Sequence, residues 1–488
     1  MAGNRASGMI AATMSQMRHV LSCRWPVAAF VIALLACVTA LAPARAASPE
    51  GGDSVYRLMR YNDDFTALKD PAKRSDFWDP IKYIPLGAPF DSGYLSFGGE
   101  LRERFESYQN PNFGIRAPGH NAYLLHRLLL HADLHADEHL RFFLQFGQFQ
   151  RIGERGLPST TDIDRLDLTQ GFVDFTPPTP WGDGPTLRAG RAEMAYGFQR
   201  LVAVREGPNV RRAFDGVRAI QSIGGATINL FAVRPVADYA GVFDDRTNMK
   251  QALWGSYVTV PVWGPLSADL YWFGYENLSA TYRGRTGHER RNSFGTRLFG
   301  KAAGWDWNAE AVLQSGTFAN QSISAWMVSG IAGYTFRSLP WQPRLGLEGT
   351  AASGDDRSSA TIGTFNPMYP RLPYFAETSL LVPANVYDIR PVVSFTPLRD
   401  VTVVLGWDML WRMSTTDGLY GSGMTMYPGT NRVTASRVGT EVSFDIRWRP
   451  TQHLTLGAIA AEFRAGPAIT AAGGKNVDFF ALFATYKI

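Results

Sequence analysis

Cysteine is nearly missing from this chain of 488 residues, and both examples, Cys23 and Cys37, fall within the first 46 positions. That stretch reads as a secretory leader: Arg5, Arg18 and Arg24 without an acid, an apolar run from Val27 to Ala42, and a small-x-small site at Ala44-Arg45-Ala46. Met14 and Met17 are alternative starts. Leu34-Leu35-Ala36-Cys37 offers a second, lipoprotein-type reading, against which the apolar run continues past Cys37. A chain cleaved after Ala46 is thiol-free, which excludes disulfides, thiol nucleophiles and thiolate metal sites. Lysine is also scarce, at seven against 41 arginines. A charge bias is lacking too: four arginines of the net +5 sit in the leader, leaving 44 basic against 43 acidic side chains. Bulk charge therefore gives no case for nucleic acid. Nor does any apolar run after the leader approach the ~20 residues that a membrane helix needs.

What the chain does have is period-two alternation, the signature of strands. From Arg437 to Arg449, Val438, Thr440, Val442, Phe444, Ile446 and Trp448 face one way, and five charged groups with Gly439 and Ser443 face the other. Leu95, Phe97, Gly99 and Leu101 oppose Glu100, Arg102, Arg104 and Glu106 in the same manner. Similar segments number eighteen, at about 94–108, 121–136, 139–151, 164–176, 185–193, 213–221, 226–234, 250–262, 265–277, 290–300, 304–314, 323–337, 342–352, 387–397, 400–412, 435–449, 452–464 and 476–488. Those near 164–176, 213–221 and 226–234 alternate poorly. The connections tend to alternate in length, with long ones at 109–120, 194–212, 235–249, 353–386 and 413–434. Short turns on one side and long loops on the other are the arrangement of outer-membrane barrels. Tryptophans near strand ends (Trp263, Trp305, Trp341, Trp411, Trp448) suit interfacial girdles. The expectation is an all-β, transmembrane antiparallel barrel of about 18 strands over 94–488, after a leader at 1–46 and a periplasmic lead-in at 47–93. It would lie in the outer membrane of a Gram-negative bacterium, in contact with its lipid.

Eighteen strands enclose more space than side chains fill, so an aqueous channel is expected unless loops plug it. The polar face of each strand places Arg102, Arg104, Arg127, Arg141, Arg191, Arg297, Arg344, Arg390, Arg412, Arg437, Arg447 and Arg449 in the lumen, with Glu100 and Asp445 among the inward acids. Arginine presents a planar fork that matches carboxylates two-pronged. Many shallow sites let a polyanion enter and still leave. The plainer alternative is that these arginines bridge neighbouring acids as structural ladders.

Several segments resemble the alginate export family: Gly99-Glu-Leu-Arg-Glu-Arg-Phe-Glu106, Asn110-Pro-Asn-Phe-Gly114, Asp164-Arg-Leu-Asp167, Leu187-Arg-Ala-Gly-Arg-Ala-Glu193, Arg205-Glu-Gly-Pro-Asn-Val-Arg-Arg212, Gly363-Thr-Phe-Asn-Pro367 and Val477-Asp-Phe-Phe480. The resemblance runs from about Asp91 to the C-terminus. It implies an outer-membrane barrel passing an anionic polysaccharide, alginate or similar, through an arginine-rich conduit, with periplasmic export partners. By motif match the conduit positions it carries over are Arg102 and Arg104, Arg165, and Arg188 or Arg191. It also implies gating by an external and a periplasmic loop. Here the late turn from Arg449 to His453 is too short for the latter, which leaves the 353–386 loop or the 48–93 lead-in as candidates.

Two other classes compete. A general or anion-selective diffusion porin for small solutes would use the same lumen. An enzyme would need a reactive constellation, and none stands out. His131 and His135 are four apart, which on a strand means about 13 Å, too far for one zinc ion; His120, His126 and His139 are read as rim or lumen groups with them. Ser353-Gly-Asp-Asp356 is a weak calcium-loop pattern. No catalytic residue, metal ligand or cofactor is expected.

Overall fold

The computed structural model describes residues 55–115, 119–153, 161–179 and 182–488. The leader at 1–46 and its cleavage site lie outside the described residues. Eighteen antiparallel strands form the wall: β1 (Tyr94–Gln109), β2 (His120–His135), β3 (Leu140–Ile152), β4 (Asp164–Phe175), β5 (Thr186–Glu193), β6 (Ala213–Ile223), β7 (Ala226–Ala237), β8 (Gln251–Trp263), β9 (Leu266–Tyr282), β10 (Arg285–Ala302), β11 (Trp305–Phe318), β12 (Gln321–Thr335), β13 (Arg344–Ala352), β14 (Val386–Leu398), β15 (Val401–Trp411), β16 (Arg437–Trp448), β17 (Leu454–Ala465) and β18 (Val477–Lys487). Each pairs with the next in sequence. The ring closes where Glu100–Gln109 of β1 pairs with Asp478–Lys487 of β18. At the end of this seam Gly99 and Ile488 exchange main-chain hydrogen bonds of 2.9 and 3.0 Å.

Alternation fixes what each face meets. On β1, Phe97, Leu101 and Phe105 are exposed while Glu100, Arg102 and Glu106 are buried inside. Outward Leu298, Leu313, Trp326, Leu345, Leu405 and Val442 continue the apolar belt. Trp263, Trp305 and Trp341 are more than half exposed. With Trp448 they mark the end of the ring that carries the short turns, where an interfacial girdle belongs.

The turns follow local chemistry. Between β6 and β7 only Gly224 and Gly225 remain, both at positive φ (57° and 83°), as a two-residue hairpin turn requires. Two connections at the opposite end are equally tight, through Arg283-Gly284 and Ala319-Asn320. There the strands run on beyond the expected boundaries as tall hairpins, so the alternation of loop lengths is less regular than the sequence implied. The connections at 194–212, 353–385 and 412–436 are long. A register shift at the start of β16, where Leu410 faces Gly439 and Trp411 faces Arg437, turns Val438 inward. Val438 is fully buried against Phe113, Leu419 and Phe463.

Phe444 lies on the outer face of β16, between Leu405 and Ala460. Phe444→Arg should destabilise the folded barrel by about 2–4 kcal/mol, read from unfolding titrations in lipid vesicles. Unchanged stability would mean that this face does not meet lipid.

Candidate functional site

The inner face of the ring is charged, and most of its charge is spoken for. Arg188 grips Asp174 with two hydrogen bonds of 2.7 Å, and Arg191 grips Asp215 at 2.8 and 3.2 Å. Arg141 binds Asp133, Arg297 binds Asp269 and Arg344 binds Asp306. Arg104 lies 2.6 Å from Glu106, and Arg447 lies 2.7 Å from Asp445. Arg390 meets Glu348 at 3.3 Å and Glu377 of the 353–386 loop at 3.8 Å. Most of these pairs are largely shielded from solvent: the Asp269 side chain is fully buried and that of Arg188 is 5% exposed. Together they make the wall a ladder of alternating charge rather than a bare cationic surface.

Two of the expected inward arginines stand elsewhere. Arg412 is buried without an acid; it donates to the carbonyls of Asp417, Thr430, Val433 and Ala435 and so pins the 413–434 loop. Arg437 is exposed, because the bulge that turns Val438 inward puts its neighbour out of phase. Arg165 is exposed beside the 238–245 segment, and Arg449 is half-buried just past β16.

The strongest constellation gathers around a residue that alternation could not select. The 194–212 loop folds into the lumen and carries Glu206 to three arginines. Arg127, fully buried, reaches Glu206 at 2.8 Å and Glu100 at 3.1 Å. Arg211 of the same loop reaches Glu206 at 3.0 Å and Glu193 at 2.8 Å. Arg102 lies 3.7 Å from the Glu206 carboxylate and donates to its carbonyl and to that of Pro208. Burial alone would raise the Glu206 carboxyl, but Arg127, Arg211 and Arg102 outweigh it and hold the group well below the usual range. The side chain remains 45% exposed to the lumen, so solvent screens each contact.

The lumen is occupied from both ends. The 353–386 loop runs against the 194–212 loop, with Tyr369 donating to Leu201, Arg371 to Gln199 and Gly207 to Leu372. Met194, Leu201, Phe365 and Tyr369 pack on inward Phe214, Phe231, Leu253, Tyr257 and Phe273, so this part of the interior is dry. From the short-turn end, the lead-in enters the mouth. Tyr61 meets Phe143 and Phe172 edge-on at 6.0 and 5.3 Å, and its hydroxyl donates to the Glu193 carbonyl at 2.8 Å. The two intrusions touch where Arg211 donates to the Leu58 carbonyl at 2.6 Å. Arg60 donates to Gly99 at 2.8 Å and to Ile488 at 2.7 Å, across the seam of the ring.

The histidines do not assemble. His131 stacks on Phe143 inside, His126 pairs with Glu103 on the outer face, and His135 stacks on Tyr94. Asp355 of the loop-tip pattern is taken by both arms of Arg283.

A closed ring with an apolar belt outside and a charged, loop-filled lumen defines an outer-membrane β-barrel channel. The model of the alginate export family matches residues 93–483, and the chain belongs to that family. The ring is similar to solved outer-membrane porins. The Acinetobacter baumannii protein OccAB1 aligns at 11% identity with a TM-score of 0.56, over 81% of this chain and 96% of that one. Pseudomonas aeruginosa OprD aligns at 13% identity with a TM-score of 0.53, over 81% and 94%. Pseudomonas aeruginosa OpdQ aligns at 12%, with a TM-score of 0.55, over 81% and 97%. At such identities the likeness concerns the fold. No curated protein matches the chain by sequence. The lead-in docks at the end of the ring that carries the short turns, the end that barrels of this kind keep in the periplasm.

Lys82 of the lead-in donates to the Phe97 carbonyl at 2.8 Å, with Tyr56 and Phe65 under its ammonium. Burial first, and then Arg60, push it down to about 7, against the pull of Asp63, Asp76 and Asp79. The docked lead-in thus binds fewer protons than the free one, and docking strengthens as pH rises from about 7 toward the free value of 10.5. Protease resistance of residues 55–83 should increase from pH 7 to pH 9, and Lys82→Met should flatten that dependence.

Proposed function

We propose that the barrel exports an anionic, carboxylate-bearing polysaccharide such as alginate, with periplasmic partners delivering the polymer, through a conduit that its own chain keeps shut at rest. Family membership supports the substrate class. The single observation that carries the mechanism is the Glu206 carboxylate held among Arg102, Arg127 and Arg211. A uronate residue presents the same chemical group, an ionised carboxylate on a chain, and arginine forks suit it equally well. In this reading Glu206 occupies the place that successive polymer carboxylates take during passage. The polymer then opens the gate by exchanging one carboxylate for another, at little net cost in charge. The paired arginines along the wall (Arg104, Arg141, Arg188, Arg191, Arg297, Arg344, Arg390 and Arg447) serve as shallow relay sites. Their acids keep any one of them from holding the polymer fast. Arg165 and Arg449 are proposed as rim positions.

Planar-bilayer recordings test this. Glu206→Gln should cost the closed state about 1–2 kcal/mol, since three screened contacts are weakened, and should raise open probability about five- to thirty-fold. Polyuronate should block the open variant, whereas a neutral dextran of equal length should not. Replacing both Arg102 and Arg104 with Glu should move the reversal potential toward cation selectivity. Currents of monomeric uronate with no block by polymer would favour a diffusion porin for small anions instead.

A further inference from the structure

Three carboxylates converge at the external end of β4, and among the described residues none of them has a cationic side chain in salt-bridge contact. Asp164, the first residue of β4, is 0% exposed. Among the described residues, neither of its carboxylate oxygens has a hydrogen-bond partner. Asp167 is 3% exposed, and Asp245 reaches in from the loop after β7. One oxygen from each of the three lies within 4.8 Å of the others.

The backbone builds this convergence. Residues 241–245 lie along the start of β4, with Leu166 and Val242 bridged in parallel, Phe243 donating to the Leu166 carbonyl at 2.9 Å, and Arg165 donating to the Gly241 carbonyl at 3.1 Å. The amides of Asp244 and Asp245 both donate to Asp167 Oδ2, at 3.1 and 3.4 Å. Tyr239 donates its amide to Asp245 Oδ1 at 2.7 Å, which leaves Oδ2 for the centre. Of the described arginines nearby, Arg191 pairs with Asp215, Arg205 with Asp238 and Arg151 with Asp162, while Arg165 and Arg246 are exposed.

Two buried carboxylates and a half-buried third, crowded together, repel one another, and the buried pair has surrendered most of its hydration. A hard divalent cation removes both costs. Calcium accepts six to eight oxygens at about 2.3–2.6 Å in irregular geometry, so oxygens as much as ~5 Å apart can share one ion. Magnesium holds its ligands at about 2.0–2.1 Å in a strict octahedron and keeps its waters. A spacing anywhere up to 4.8 Å, from ligands on a strand and an irregular loop, is within reach of the larger ion.

We propose that Asp164, Asp167 and Asp245 bind one calcium-sized divalent cation, which fastens the external 238–249 loop to the wall. The same loop carries Asp238, whose ion pair with Arg205 at 2.6 Å reaches the base of the 194–212 loop. The cation would therefore brace the gate from outside, although the site itself stands whether or not the polymer assignment does.

The test uses the full barrel folded in detergent. Equilibrium dialysis with radioactive calcium should find about one ion bound per chain, lost in Asp164→Asn and in Asp245→Asn, with magnesium at equal concentration a poor competitor. In thermal unfolding, calcium should raise the wild-type midpoint by several degrees above that in chelator. Asp164→Asn should abolish this response and, by removing an unneutralised buried charge, raise the midpoint in chelator. No calcium binding by the wild type, binding that survives both substitutions, or displacement by equal magnesium would each overturn the proposal.

Discussion

Everything in this molecule depends on the main chain having no partner in hydrocarbon except itself. Lipid accepts and donates no hydrogen bonds, so eighteen strands must form a ring without a free edge. The seam between β1 and β18 is where that condition is met, through ten consecutive facing pairs from Glu100 with Lys487 to Gln109 with Asp478. Once the ring is closed, polarity has one direction in which to go. Apolar side chains take the outside, and the arginines and acids are forced into the lumen together.

Crowding both signs into one cavity has a physical consequence. A lumen lined only by arginine would repel itself and would bind a polyanion too tightly to release it. Acids on adjacent strands, such as Asp174 beside Arg188 and Asp215 beside Arg191, lower both costs. The wall is then balanced, since each of these paired arginines already has a carboxylate partner. Selectivity under such conditions arises from many small exchanges rather than from one deep site.

The parts legible in the sequence were those governed by one rule over many residues. The lipid face must be apolar at every second position, and that constraint alone revealed the strand count and most strand positions. β6 and β7 were harder to read because the rule is hidden there. Leu230 and Val217 face lipid, but Phe231, Val233 and Phe214 face the dry packing of the inserted loops, so both sides of the strand are apolar. Loop residues escaped for a different reason. Nothing in alternation predicts that Glu206 travels inward to meet Arg127, or that Arg412 turns to loop carbonyls instead of the lumen. The motif from Arg205 to Arg212 was visible as a family feature, but its destination was set by tertiary contacts. Asp164, Asp167 and Asp245 were likewise scattered over a long interval, and only the folding of 241–245 along β4 brings them together.

The docking of Arg60 carries an implication for assembly. Its two carbonyl acceptors, on Gly99 and Ile488, belong to opposite ends of the strand order and become neighbours only when the last strand has zipped to the first. This part of the lead-in's landing place is consequently made by the closure of the ring. Those two bonds together can form only on a completed cylinder, whereas the contacts of Tyr61 with Phe143 and Phe172 need only neighbouring strands of the wall.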